Sequence, residues 1–92
     1  MKQYVVVAYD IVDDERRNKV SDILSGYGER VNKSVFECFL RRKNIDEIKS
    51  RIVEEIDMKE DIVLYYHLCK DCIEKIDRMG AVLQEKRIVK VI

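Results

Sequence analysis

The residues best suited to chemistry stand at the end of the first apolar segment of the chain. Asp10 closes that segment, and three further acids follow at positions 13–15. Alternation along a strand places Asp10 on the same face as Val6 and Ala8. A carboxylate among apolar neighbours is unfavourable unless it is paired or binds a metal. Asp10 is therefore a candidate ligand for Mg²⁺, which accepts one or two carboxylates and keeps several waters for a phosphate. The simpler alternative is an aspartate in a strand-end turn.

Charged residues beyond Asp10 allow two interpretations. Arg16 and Arg17 could hold phosphate groups or pair with the acids at 13–15, and those acids could support a metal site or only complement a helix dipole. Residues 29–43 hold five basic and two acidic residues, whereas residues 46–61 hold three basic and seven acidic ones. The basic stretch, which includes Arg41, could contact a nucleic-acid backbone or form a polar turn. The chain as a whole has no formal net charge, which excludes a strongly basic nucleic-acid arm.

Two cysteines, Cys69 and Cys72, form a C-x-x-C motif, with Cys38 and His67 as further possible ligands. Zinc would need four such ligands, but a second C-x-x-C is missing. A redox pair would be expected to open a helix, whereas this pair follows a predicted strand. We interpret both cysteines as small apolar residues at a strand end. Since His67 is the only histidine, a metal-activated water would suit any phosphodiester cleavage better than a histidine pair.

The elements that must position these residues follow from the apolar spacing. We predict strands over residues 4–11, 30–40 and 61–69, and a last strand over residues 87–92; the segment 73–78 is ambiguous. A helix capped by Asp13 or Asp14 follows the first strand, and a second helix begins near Asn44. The apolar stripes of the two helices are Val20, Ile23, Leu24 and Tyr27, and Ile45, Ile48, Ile52 and Ile56.

This order predicts one α+β domain over residues 1–92. We expect a ferredoxin-like βαββαβ sandwich with both helices on one face of an antiparallel sheet and an extra C-terminal strand. The first and third predicted strands are apolar on both faces, so the face away from the helices also needs cover. A second copy packed sheet against sheet would supply it, and we predict a homodimer. The alternative is that single apolar residues are simply exposed.

The cellular location also follows from sequence features. Apolar runs of 18 residues are missing, and the short apolar run at the start does not resemble a signal peptide. Three cysteines, an odd number, suit a reducing compartment better than a disulfide scaffold. We expect a cytoplasmic protein without a membrane segment.

Four short segments together resemble a known family. They are residues 9–11 (YDI), 13–17 (DDERR), 28–31 (GERV) and 34–37 (SVFE). The chain resembles the small CRISPR-associated spacer-acquisition proteins of the Cas2 family, and the resemblance extends over the whole length. It implies a homodimer whose C-terminal strands cross to the partner's sheet. It also implies an endonuclease that needs Mg²⁺ or Mn²⁺ and cleaves single-stranded RNA or duplex DNA, and a complex with Cas1 integrase dimers.

The resemblance also assigns roles to individual residues. The family's catalytic, metal-binding aspartate matches Asp10, and its basic position at a helix start matches Arg16 or Arg17. Nucleic-acid contacts are expected from those arginines and from the matched positions Arg30, Ser34 and Phe36, and we add Arg41 from the basic stretch. The alternative is a structural subunit that bridges duplex DNA between integrase dimers without catalysis. A third possibility is an interaction module that binds no nucleic acid.

Overall fold

The structure is a computed structural model that describes residues 1–80. The predicted last strand, 87–92, lies outside the described residues. Seven elements follow one another along the chain. They are β1 (Lys2–Asp10), α1 (Asp14–Ser25), β2 (Glu29–Asn32), β3 (Val35–Arg41), α2 (Arg42–Val53), β4 (Ile62–Leu68) and α3 (Lys70–Glu74).

The four strands form one antiparallel sheet in the order β2-β3-β1-β4. This order, with α1 and α2 as the crossovers, confirms the predicted ferredoxin-like α+β fold. The single strand predicted over residues 30–40 is wrong, because β2 and β3 are two arms of a hairpin. Lys33 and Ser34 form the turn between them, and the side chain of Asn32 accepts a hydrogen bond from the Lys33 amide at 2.7 Å.

Helix α1 begins where its cap predicts. The Asp13 carboxylate accepts a hydrogen bond from the Arg16 amide at 2.9 Å, which satisfies one free donor at the helix start. Gly26 caps the other end. Gly28 is required by close packing, since a Cβ there would lie 2.5 Å from both the Cys38 Sγ and the Glu37 carbonyl oxygen.

Helix α2 begins earlier than predicted. Arg41 occupies the cap position without a side-chain cap, and Asn44 instead donates to Glu47 Oε1 at 3.2 Å within the helix. The predicted stripe of Ile45, Ile48 and Ile52 is buried. Ile56 lies beyond the helix end but still packs against the core.

Helices α1 and α2 cover one face of the sheet. The covered face packs Val5, Val7 and Phe36 against the helices, and these side chains form the core. The opposite side, which we call the open face, carries Ile62, Leu64 and Tyr66 of β4 at 54%, 46% and 52% exposure. The parity prediction is confirmed, because the second face of the sheet is apolar and, among residues 1–80, these side chains are left about half exposed.

One end of the open face is closed by the segment that follows β4. The ambiguous segment 73–78 begins in α3 and continues to Arg78, which donates to the buried Glu37 carboxylate at 2.7 Å. The Tyr4 hydroxyl donates to the same carboxylate at 2.6 Å, and burial together with Glu37 raises the pKa of that hydroxyl. This cluster holds the segment after α3 against the sheet. None of the helices in residues 1–80 is long and apolar enough to cross a membrane.

Candidate nucleic-acid interface

Asp10 lies at the rim of the open face. It is the last residue of β1, pairs with Ile62, and shares the open face with Ala8 and Leu64. The side chain is exposed, and within residues 1–80 it forms no ion pair. Its carboxylate oxygens are therefore available to a ligand approaching from solvent.

A second carboxylate nearby, Asp61, has a structural role that the sequence did not indicate. It is buried and accepts hydrogen bonds from the Val12 amide at 3.1 Å, the Asp57 amide at 2.9 Å and Arg16 Nε at 2.9 Å. The Arg16 guanidinium, aided by the two amides, lowers the pKa of the Asp61 carboxyl to about 2. Asp61 ties the loop after Asp10 to the start of β4.

The two predicted phosphate-binding arginines of α1 are partly engaged within the chain. Arg16 uses Nε for Asp61, and its Nη2 also lies 3.4 Å from Glu60. Arg17 donates from Nη1 to the Ile11 carbonyl at 2.9 Å and pairs with Asp14 through Nη2. Both side chains remain partly exposed, and their contacts with Asp61 and with the Ile11 carbonyl stabilise the loop that follows Asp10.

Arg30 and Phe36 form one unit on the helix side of the sheet. The Arg30 guanidinium lies over the Phe36 ring, 5.5 Å from its centroid, and donates to the Ser21 hydroxyl. Phe36 is 1% exposed and stacks on Tyr9 at 6.4 Å. The Phe36 ring is buried in the core and is not presented to solvent, and the nucleic-acid contact at this position stays a prediction. The role of the ring is to support Arg30, which is exposed.

Ser34 and Arg41 lie at opposite ends of β3. The Ser34 carbonyl accepts the Tyr9 amide at 3.0 Å, so the β2–β3 turn stands beside Asp10. Arg41 pairs with Lys2 at the other end, and Asp10 lies eight residues along β1 from Lys2. At about 3.3 Å per residue, Arg41 lies about 26 Å from Asp10. The predicted nucleic-acid contacts therefore form two separate groups, one near Asp10 and one at Arg41. The two groups are too far apart to bind the same phosphate.

The second group is a basic corner at the start of α2. Arg41, Arg42 and Lys43 are exposed there, and Lys2 stands opposite Arg41 with its ammonium 5.7 Å from the Phe39 ring centroid. The first turn of α2 has no acidic residue. Free amides at a helix start and nearby cations both favour an anion such as phosphate. The sequence predicted Arg41 here, and the structure adds Lys2.

The cysteine motif is placed differently from the prediction. Cys69 and Cys72 are exposed, not packed as small apolar residues, and they open α3 as well as following β4. Cys38 is buried in the core, away from solvent. The part of the chain that the structure describes contains no group of three or more His, Cys, Asp or Glu side chains able to hold a metal ion. A zinc site within one chain is therefore not formed by these residues.

A Mg²⁺ or Mn²⁺ ion fits the chemistry of Asp10 but needs a second donor. Both ions prefer carboxylate oxygen and water, and Mg²⁺ commonly binds only one or two carboxylates. Asp10 supplies one exposed carboxylate, whereas the oxygens of Asp61 are occupied by Arg16 and two backbone amides. Within residues 1–80, Asp10 therefore supplies a single exposed carboxylate at the rim of the open face.

Comparison with known proteins identifies the family. The family model for CRISPR associated protein Cas2 matches residues 1–76 of the chain. The chain belongs to the Cas2 family. A cyanobacterial Cas2 from Synechocystis, named CRISPR-associated endoribonuclease Cas2 3, is 41% identical over 75 residues, which cover 82% of each chain. The family that the short motifs predicted is confirmed.

Solved Cas2 structures share the fold. The crystal structure of Streptococcus pyogenes Cas2 at pH 6.5 superposes with a TM-score of 0.76 and 32% identity, covering 84% of this Cas2 chain and 99% of that one. A chain of a structure described as a partial Cas6-RT-Cas1–Cas2 complex superposes with a TM-score of 0.67 and 26% identity, covering 84% and 90%. These similarities establish the fold and the family.

Proposed function

We propose that this Cas2 protein acts in CRISPR spacer acquisition as a homodimer that hydrolyses phosphodiester bonds with a divalent cation held at Asp10. The substrate is single-stranded RNA or duplex DNA. The observation that carries the proposal is the exposed Asp10 carboxylate at the rim of an apolar open face. The name of the Synechocystis relative, an endoribonuclease, supports nuclease activity.

The dimer part of the proposal depends on the open face. Ile62, Leu64 and Tyr66 are each about half exposed, and together with Ala8 they form a contiguous apolar surface. Surfaces of this kind in small proteins usually mark interfaces. Two sheets pack face to face at about 10 Å, which is the spacing that side chains of this size fill. A second copy with the same surface fits by two-fold symmetry.

The catalytic part depends on where symmetry brings Asp10. Because Asp10 shares the open face with the packed residues, a two-fold axis near that rim would place the Asp10 residues of both copies on either side of it. Two carboxylates that face each other repel unless a cation lies between them. A bound Mg²⁺ or Mn²⁺ would supply an activated water and neutralise charge on the phosphate. Asp10 would hold the cation, and Arg17 would contact the phosphate beside it.

The nucleic-acid path follows from the two groups of predicted contacts. Asp10 and the basic corner at Arg41, Arg42 and Lys43 are about 26 Å apart. One strand of a duplex advances about 3.4 Å per nucleotide, so about eight nucleotides span the two groups. A strand held at both groups would present the phosphate at Asp10 for cleavage.

The alternative function is a DNA-bridging subunit without catalysis. A chain of a structure described as a partial Cas6-RT-Cas1–Cas2 complex shares this fold, which supports a partnership with Cas1. In this case Asp10 is dispensable, and the phosphate contacts of Arg41 and its neighbours carry the affinity. The separation of about 26 Å between the Asp10 end and the basic corner suits a bridge as well as a nuclease.

The Asp10→Asn variant separates the two functions. We expect it to lose cation-dependent cleavage of RNA or duplex DNA while it keeps its oligomeric state and DNA affinity. Asp22→Asn is the matched control, since Asp22 is an exposed aspartate on α1. Cleavage at the wild-type rate by purified Asp10→Asn would exclude the catalytic role. Spacer acquisition that survives Asp10→Asn but not Arg41→Gln would favour the bridging role.

A further inference from the structure

The C-x-x-C motif has no part in the proposed function, yet the structure places its two thiols together. The Sγ atoms of Cys69 and Cys72 are 3.5 Å apart, in hydrogen-bond contact. Both residues are exposed, with Cys69 immediately before α3 and Cys72 within it. Residues three apart on one helical turn are neighbours, so the backbone already holds the pair close.

We propose that Cys69 and Cys72 form a reversible dithiol–disulfide site that reacts with low-molecular-weight disulfides. The site differs from a structural disulfide because both sulfurs face solvent and the ring it closes contains only residues 69–72. A disulfide needs the two sulfurs to approach to about 2.05 Å, a movement that side-chain rotation in one exposed turn can supply. Large rearrangement of the sheet is not required.

The third cysteine provides an internal contrast. Cys38 is 0% exposed and lies in the core, where burial raises the pKa of its thiol to about 12. A buried thiol of that kind is protonated and inaccessible, so it does not attack a disulfide. The two classes of cysteine in one chain are therefore expected to react at very different rates.

The two exposed thiols also differ from each other. The backbone amide and the thiol of Cys72 lower the pKa of the Cys69 thiol, whereas contact with Cys69 raises the pKa of the Cys72 thiol. Cys69 is thus the better attacking group, since the thiolate is the nucleophile. Cys72 is placed to resolve the intermediate that Cys69 forms.

The reaction proceeds in two balanced exchanges. The Cys69 thiolate attacks one sulfur of oxidised glutathione, forms a mixed disulfide and releases one glutathione thiolate, which takes up a proton. Cys72 then gives its proton to solvent and attacks Cys69 Sγ, which forms the Cys69–Cys72 bond and releases the second glutathione. The two protein thiols lose two electrons and two protons, and one glutathione disulfide becomes two thiols.

A disulfide between Cys69 and Cys72 would restrain the turn between β4 and α3. Residues 69–72 connect the end of β4 to the segment that contains Arg78, whose guanidinium donates to the Glu37 carboxylate. A bond across this turn fixes the start of that segment, which borders the open face at the Tyr4 end. The oxidised turn is expected to exchange its amides more slowly than the reduced turn.

Tryptic mapping of the full chain tests the proposal directly. After equilibration with oxidised glutathione and blocking of free thiols, trypsin cleaves after Lys70, between the two cysteines. We expect the Cys69 and Cys72 peptides to remain joined until reductant is added, while Cys38 carries the thiol block only after unfolding. The Cys72→Ser variant should stop at the mixed disulfide on Cys69, and in wild-type protein quenched at early times the mixed disulfide should lie on Cys69.

The opposite results would overturn the proposal. They are glutathione adducts on both cysteines of the wild type with no joined peptides, disulfides only between different chains, or blocking of Cys38 as fast as of Cys69. An early mixed disulfide on Cys72 in the wild type would remove the assigned order of attack. These experiments measure neither nuclease activity nor dimerisation, so their outcome does not depend on the proposed function.

Discussion

A charge placed in the centre of the open face should dissociate the proposed dimer. Leu64→Glu is the sharpest change, because Leu64 lies between Ile62 and Tyr66 on β4 and is 46% exposed in one chain. Fully burying a leucine contributes about 1.5–3 kcal/mol, so burying the exposed half contributes about 1 kcal/mol per copy. An unpaired carboxylate in the interface costs several kcal/mol more per ion.

The expected effect is large enough to measure easily. A total loss of at least about 4 kcal/mol in the free energy of dimerisation raises the dissociation constant of the dimer about a thousandfold. Sedimentation equilibrium over a range of concentrations should find the wild type dimeric and Leu64→Glu monomeric. Val53→Glu is the control, since Val53 is 50% exposed at the end of α2, off the open face. A Leu64→Glu dimer as tight as the wild type would refute the assignment of the interface, and so would a monomeric wild type.

Three further predictions concern stability and binding. Asp61→Asn should lower the free energy of unfolding in urea at neutral pH. The difference from the wild type should disappear as the pH falls from about 3.8 to about 2, because the pKa of Asp61 is lower in the folded state than in the unfolded state. A difference that persists at about pH 2 would contradict this. Gly28→Ala should cost about 1–3 kcal/mol in urea unfolding through overpacking against Cys38. Gly26→Ala, with its nearest contact at 3.5 Å, should be neutral or slightly stabilising, and equal costs for the two would contradict the packing argument. Arg41→Gln should weaken duplex binding and reduce the slope of log affinity against log salt by about 1, whereas Arg51→Gln on another part of α2 should leave the slope unchanged.

The parts of the fold that follow from short-range patterns were predictable. The apolar first strand, the Asp13 cap and the isoleucine stripe of α2 all appear as expected, because each depends on residues that are close together in the sequence. The apolar residues on both faces of the first and third predicted strands also indicated the second apolar face of the sheet. These signals are local, so one sequence suffices to find them.

The features that the sequence did not indicate depend on distant contacts or weak turn signals. Asp61 meets Arg16 across 45 residues, and in the sequence it is one of seven acids in an acidic stretch. The hairpin turn at Lys33 and Ser34 lacks glycine and proline, so only Asn32 marked it. Burial of Phe36 likewise requires the assembled sheet and helices, whereas the contact between Cys69 and Cys72 was missed because the short helix α3 was not predicted.

The proposed metal site requires two copies of Asp10 to share one divalent cation at the rim of the paired open faces. Isothermal titration of the metal-free protein with Mn²⁺ measures this sharing, since the stoichiometry reports how many chains hold one ion. We predict one Mn²⁺ per two wild-type chains and no binding by Asp10→Asn. One Mn²⁺ per chain, or undiminished binding by Asp10→Asn, would exclude a cation shared between two copies of Asp10.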